Sequence, residues 1–235
     1  MIRRCIQESF RVNNATLATE LLTWHAQSLP KLSPVACSEL IECAVASEAL
    51  GFVQTLQNLG YLNNKQRLHT RCIVRGLLRN PHPKEMLRHF HTNGFISRYL
   101  PYRIHEDDQA RKLLDLAVHG GSVPLADAVF ELYPYLDCDS AFRDAISKND
   151  IAMVQLFLRK GADPEARFYD WNGVPRSSTC ELARPESKVY TMVREAVERK
   201  VRELDQEYEI PEYLVWDIKK QEDVPVAYTF HAPEL

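Results

Sequence analysis

Apolar positions along the chain come in short helical pairs rather than in one long run. Between Ser140 and Ala166 the sequence SAFRDAISKNDIAMVQLFLRKGADPEA sets Phe142, Ala145 and Ile146 at i, i+3 and i+4. Ile151, Val154, Leu156 and Leu158 then form a second apolar face. The pattern predicts two short antiparallel helices joined at Asn149-Asp150. Gly161 follows where a helix end takes positive φ, and Asp163-Pro164 starts a turn that cannot continue a helix. Related pairs recur upstream. Cys43-Ala44-Val45 leads to Phe52-Val53, Leu56 and Gly60; Met86-Leu87, Phe90 and Gly94 make another second helix; Leu116-Ala117-Val118 and Gly121 precede Leu125-Ala126 and Ala128-Val129-Phe130. Turns between paired helices are expected at Asn13, Glu48, His82, Gly121 and Asn149, at intervals of 35, 34, 39 and 28 residues. The terminal glycines Gly60, Gly94 and Gly161 lie 34 and 67 residues apart, one period and then two.

The 140–166 stretch resembles an ankyrin repeat, whose family pattern is T-P-L-H-L-A-A-x-x-G-H-x-x-I-V-x-L-L-L-x-x-G-A-D-V-N-A. Ala145 falls on the first alanine, Met153-Val154 on the Ile-Val pair, Leu156-Phe157-Leu158 on the leucine triplet and Gly161-Ala162-Asp163 on G-A-D, without a gap. A sixth copy begins at Asp170-Trp171-Asn172-Gly173, similar to the family's D-x-x-G hairpin, and runs through Cys180-Glu181-Leu182-Ala183 into a helix from about Ser187 to Glu207. The resemblance is strongest over 139–175 and extends over roughly residues 1 to 200. T-P-L-H occurs nowhere, and Tyr133–Cys138 is too short for a full hairpin finger. The resemblance implies an all-α solenoid of five to six irregular repeats over residues 1–207, with the charged helix around Arg194–Glu207 as its C-terminal cap. Such helix pairs are too small to bury their apolar faces alone, so neighbours bury one another. Residues 208–235 are not repeat-like. Tyr213 and Trp216 are expected to pin this tail to the last repeat, with partner binding as the alternative.

Composition fits the helical reading. Of 235 residues, 45% are hydrophobic and 26% charged, enough for one sizeable core, and the eight glycines suit neither a turn-dense all-β chain nor a glycine-loop nucleotide enzyme. No apolar run approaches the ~20 residues of a membrane span, and no apolar stretch follows Arg3 and Arg4 as a secretory signal would require. A soluble protein of the cytoplasm or nucleus is expected. The six cysteines include no C-x-x-C pair and are expected to be reduced and buried.

Charge changes the picture more. Residues 61–105 carry nine Lys/Arg against the single acid Glu85, plus five histidines, although the whole chain has a net charge of −3. Arg67, Arg71, Arg75 and Arg79 are spaced by four and share one face of a helix. With Lys65 they form the candidate partner-binding patch, and Glu42, Asp115 and Asp144 on neighbouring first helices make its acidic flanks. The resemblance implies a non-enzymatic protein-binding module. The patch then points to an acidic or phosphorylated segment as the partner, with nucleic acid or another anion as the alternative. A helical metal-dependent enzyme is a remote third class. It would rest on His82, His89 and His91 with His69 and Cys72, but no H-x-x-x-H or C-x-x-C spacing brackets them. Asp107-Asp108 and the pair Asp137 and Asp139 read as helix N-caps, and Cys37 and Cys43 as buried thiols rather than nucleophiles. No phosphate loop exists, so neither cofactor nor metal is expected.

Overall fold

The computed structural model describes residues 2–28, 32–62, 67–95, 106–165, 167–169 and 175–207. They fold predominantly as helices in pairs. The first pair is α1 (Ile2–Arg11) and α2 (Ala15–Ser28), followed by α3 (Pro34–Ala46) and α4 (Leu50–Asn58), α5 (Arg67–Arg79) and α6 (Lys84–Thr92). Next come α7 (Glu106–His119) and α8 (Val123–Leu132), α9 (Asp139–Ser147) and α10 (Ile151–Arg159). The strands β1 (Arg167–Tyr169) and β2 (Pro175–Ser178) precede α11 (Thr179–Leu182) and the long α12 (Lys188–Glu207). The two strands pair antiparallel, Arg167 opposite Ser178 and Phe168 opposite Ser177. They are a small β addition to a helical chain, and the expected Asp170–Gly173 hairpin between them lies outside the described residues.

Packing follows an alternating rule. First helices meet first helices, with α1 on α3, α3 on α5, α7 on α9 and α9 on α11, while α2 meets α4, α6 meets α8, α8 meets α10 and α10 meets α12. The apolar residues join into one continuous core from Ile6 to Val193. Aromatic rings tie neighbouring pairs together: Phe10 meets Phe52 edge-on at 4.9 Å, and Phe157 of α10 meets both Phe130 of α8 and Phe142 of α9. No helix among the described residues is long and apolar enough to cross a membrane.

The sharp reversals come from one backbone device. Asn13, Glu48, Gly121 and Asn149 all hold positive φ, as do the terminal glycines Gly60, Gly94 and Gly161. At each of them the residue's own N–H reaches back three positions and the next N–H reaches back five, as in Asn149 to Ile146 and Asp150 to Ala145. This double closure satisfies carbonyls that a helix end leaves unpaired. The following residue often starts the next helix: Asn14 Oδ1 accepts from the Leu17 N–H and Asp150 Oδ1 from the Met153 N–H.

The third turn departs from the expected pattern. His82 does not take positive φ, because Pro81 and Pro83 on either side fix a different path. The side chain of Asn80 organises this corner instead. Its Oδ1 accepts from the His82 N–H at 2.7 Å, and its amide donates to the Val45 carbonyl of α3 at 2.7 Å in a buried setting.

Candidate functional site

Helix α5 owes its placement to a glycine. Gly76 faces α3 so closely that a Cβ built on it would lie 2.5 Å from Val45 Cβ and 2.9 Å from the Glu42 carbonyl oxygen. Cys72, Ile73, Val74 and Leu77 are buried, whereas Leu68, Arg71, Arg75 and Arg79 are exposed along the opposite face. The four-residue spacing therefore does put these arginines on one outward stripe. Arg67 opens the helix, but its side chain lies outside the described residues, as does the whole of Lys65.

The stripe is not uniform. Arg79 donates to Glu42 of α3 at 2.6 Å, and the Glu42 side chain is only 18% exposed, so this pair is part of the α3–α5 contact. Arg71 and Arg75 make no ion pair among the described residues. Other cations of the basic block are neutralised: Lys84 meets Glu131 of α8 at 2.6 Å, and Arg88 meets Glu85 at 2.6 Å. Two exposed guanidinium groups without an ion pair among the described residues thus form the centre of the patch.

The acidic flanks are also brought together in part. Burial raises the Asp115 pKa above the ordinary carboxylate value, the Asp144 charge on the adjacent α9 adds to the rise, and His119 opposes it. Asp115 also lines a cleft of about 420 Å³ between α7 and α9, with Arg111, Asp137 and Ser140. Arg111 reaches Asp137 at 3.2 Å across it. The first-helix row therefore presents a Glu42–Arg79 pair, then Arg71 and Arg75, then the Asp115–Asp144 carboxylates.

The histidines do not converge. His91 Nδ1 lies 2.8 Å from the Tyr133 hydroxyl on the neighbouring pair. His89 Nε2 is buried without a partner among the described residues, and burial lowers that imidazole's pKa toward the neutral form. His82 is exposed on the proline turn, whereas His69 is buried. Among the described residues no group of three His, Cys, Asp or Glu is arranged to hold a metal ion. Burial pushes the Cys37 and Cys43 thiols up, and Glu42 and Glu39 raise Cys43 further, the reverse of what activates a nucleophile. Cys5 is exposed on α1, against the expectation of uniformly buried cysteine. The side chains of Asp107 and Asp108 lie outside the described residues. Asp137 Oδ1 accepts from the Asp139 N–H at 3.2 Å, a local turn contact rather than a catalytic arrangement.

Several connecting residues escape sequence reasoning. Asn93 Oδ1 accepts from Gln57 Nε2 at 3.3 Å, linking α4 to the end of α6 across 36 residues. Asn80 holds α5 to α3 through a backbone carbonyl that no pattern of side chains marks. An asparagine before a proline and another before a terminal glycine were the available signals. No family model, no curated protein and no solved structure matches the chain.

Proposed function

We propose that the chain is an ankyrin-like helical solenoid, without catalytic activity, that binds an acidic or phosphorylated segment of another protein in the cytoplasm or nucleus. The exposed faces of its first-row helices form the binding surface, and Arg71 and Arg75 are its central station. The observation that carries this reading is the contrast within one basic block: Arg79, Lys84 and Arg88 are neutralised by carboxylates, while Arg71 and Arg75 are exposed and have none among the described residues. Four-residue spacing keeps them on one helical face, where two guanidiniums can fork onto carboxylate or phosphate oxygens. Carboxylates on α3, α7 and α9 on either side disfavour a uniformly acidic partner and select one with a matching charge order.

The test is affinity capture from cells with the wild-type chain and with Arg71→Glu/Arg75→Glu. Arg79 stays in place, since replacing it would leave Glu42 opposite a second carboxylate. Proteins held by the wild type and lost by the variant, with unchanged circular dichroism, support the proposal. An identical captured set from both chains rejects it. Duplex DNA of arbitrary sequence that binds the wild type with a steep salt slope, and fails to bind the variant, would assign the patch to nucleic acid instead.

A further inference from the structure

The seam between α3 and α5 begins with two apolar side chains. The two helices run side by side in parallel: the Cys72 thiol meets the Ser38 hydroxyl, Gly76 lies against Glu42 and Val45, and the Asn80 amide reaches the Val45 carbonyl. Followed one turn toward the N-termini, this register sets Leu68 of α5 beside Val35 of α3. Both are exposed, Val35 at 60% and Leu68 at 44%, whereas their helix neighbours Ala36, Leu40, Cys72 and Ile73 are buried. Val35, Glu39 and Glu42 follow one another on the outward stripe of α3, as Leu68, Arg71, Arg75 and Arg79 do on α5. Both acids of the α3 stripe are paired, Glu39 with Arg3 of α1 at 3.1 Å and Glu42 with Arg79 at 2.6 Å. From its N-terminal end the seam therefore presents an apolar pair, then two arginines without a carboxylate among the described residues, then the Glu42–Arg79 pair. Apolar side chains scattered singly are ordinary surface, but two at one level beside such cations make a composite station.

Building on the acidic-segment reading above, we propose that this station takes a short extended peptide with a fixed pattern. An apolar residue stands two positions from the first of two acidic or phosphorylated residues, which are themselves two positions apart, in either chain direction. Spacing supports the pattern. Arg71 and Arg75 lie four residues, about 6 Å, apart along α5, and same-facing residues of an extended chain recur every ~6.7 Å, so the two guanidiniums match two acids. Leu68 precedes Arg71 by ~4.5 Å along the axis, and the long arginine stem takes up the remaining difference. Chemistry supports the order. A third acid over Val35 and Leu68 would lose its water against an apolar surface with Glu39 on the same stripe, whereas an apolar residue there removes all three side chains from water together. The apolar pair thus discriminates against an unbroken acidic run and selects a segment that opens or closes on an apolar residue.

A random-peptide phage library selected on the full-length chain tests this, with the dominant peptide then synthesised, fluorescein-labelled and titrated by anisotropy. The selected peptides should share the spacing, and affinity for the synthesised one should fall roughly tenfold or more in Val35→Ser/Leu68→Ser, which removes its apolar contacts. Replacing the peptide's own apolar residue with serine should weaken binding equally. That serine peptide should bind wild type and variant alike, the signature of direct contact in a double-mutant cycle. Both replaced side chains are exposed, so circular dichroism should be unchanged, and Leu68→Ala alone carries the test if the double variant does not fold. Acidic peptides that depend on Arg71 and Arg75 but carry no apolar residue at the set distance overturn the proposal and leave the patch in place. So do peptides that bind Val35→Ser/Leu68→Ser as tightly as the wild type. Selection without acidic enrichment, or of peptides indifferent to Arg71→Glu/Arg75→Glu, rejects the acidic-segment reading and the patterned station with it.

Discussion

At Glu48 an exposed glutamate sits at φ 60°, a conformation in which its Cβ crowds the following carbonyl. Asn13 and Asn149 occupy the same position in other turns with a side chain that tolerates it well, and Gly121 with none at all. Glu48→Gly should therefore stabilise the protein by up to about 1 kcal/mol, since the relieved strain of ~1–2 kcal/mol exceeds the added freedom of the unfolded chain. Gly121→Ala should destabilise by about 1–2 kcal/mol through backbone strain alone, because nothing lies within 4 Å of the new methyl group. Urea midpoints for both variants decide it, and two neutral results would mean the turns do not close this way. Thiol chemistry is equally local. Burial, followed by the charges of Asp139 and Asp137, raises the Cys138 pKa from 9.0 to about 11. The folded state thus favours the neutral thiol, so its contribution to stability is constant below pH 9 and declines as pH climbs from there through about 11. Cys138→Ala should remove that part of the alkaline decline in thermal unfolding. At pH 8, brief alkylation should label Cys5 first and leave Cys37, Cys72 and Cys138 largely unmodified, as mass mapping would show.

Among the described elements, α3 and α5 share the most extensive contact. Gly76→Ala would press a methyl group against Val45 and the Glu42 carbonyl, forcing two packed helices apart at a loss of roughly 1–3 kcal/mol in chemical unfolding. Sequence alone marks Leu156 and Leu158 as equivalent core leucines, and the structure separates them. Leu156 is 1% exposed, so Leu156→Ala should lose about 2–5 kcal/mol, whereas the half-buried Leu158 borders an open groove between α10 and α12 and should lose less. This division recurs wherever legibility ends. Helix pairing and all five expected turn positions could be read because glycine, asparagine and a period near 34 residues act within one segment. The way the turn at His82 closes could not, because prolines and a buried asparagine side chain replace the usual closure. Gly76 alone reads as a weak point in a helix and becomes a contact only once α3 lies beside it. The arginine stripe was visible from spacing, but which arginines are paired depends on a carboxylate 37 residues away.

At the scale of the whole molecule, the described first helices sort charge along their row. Arg71 and Arg75 lie between Glu42 on one side and Asp115 with Asp144 on the other, a layout that, under the proposed function, would act on the rate and selectivity of encounter more than on fold. Partner association with the wild type should slow as salt rises past ~0.15 M, where the Debye length is about 8 Å, and the slope should flatten in Arg71→Glu/Arg75→Glu. Stopped-flow rates across a salt series measure it, and a slope unchanged by the variant would move the encounter surface elsewhere. The links around α6 carry a further consequence. On one side α5 is clasped to α3 by the Gly76 approach, the Asn80 amide and the Glu42–Arg79 pair. On the other, α6 reaches the second half of the molecule through Lys84 to Glu131 and His91 to Tyr133, and Leu78 touches Gly120. In the solenoid proposed above, these exposed bonds beside α6 are expected to open more readily than the buried α3–α5 contact. Under tension applied at the two ends, the molecule should yield first beside α6, as a small early step in extension, leaving two tightly wound halves that give way only at higher force.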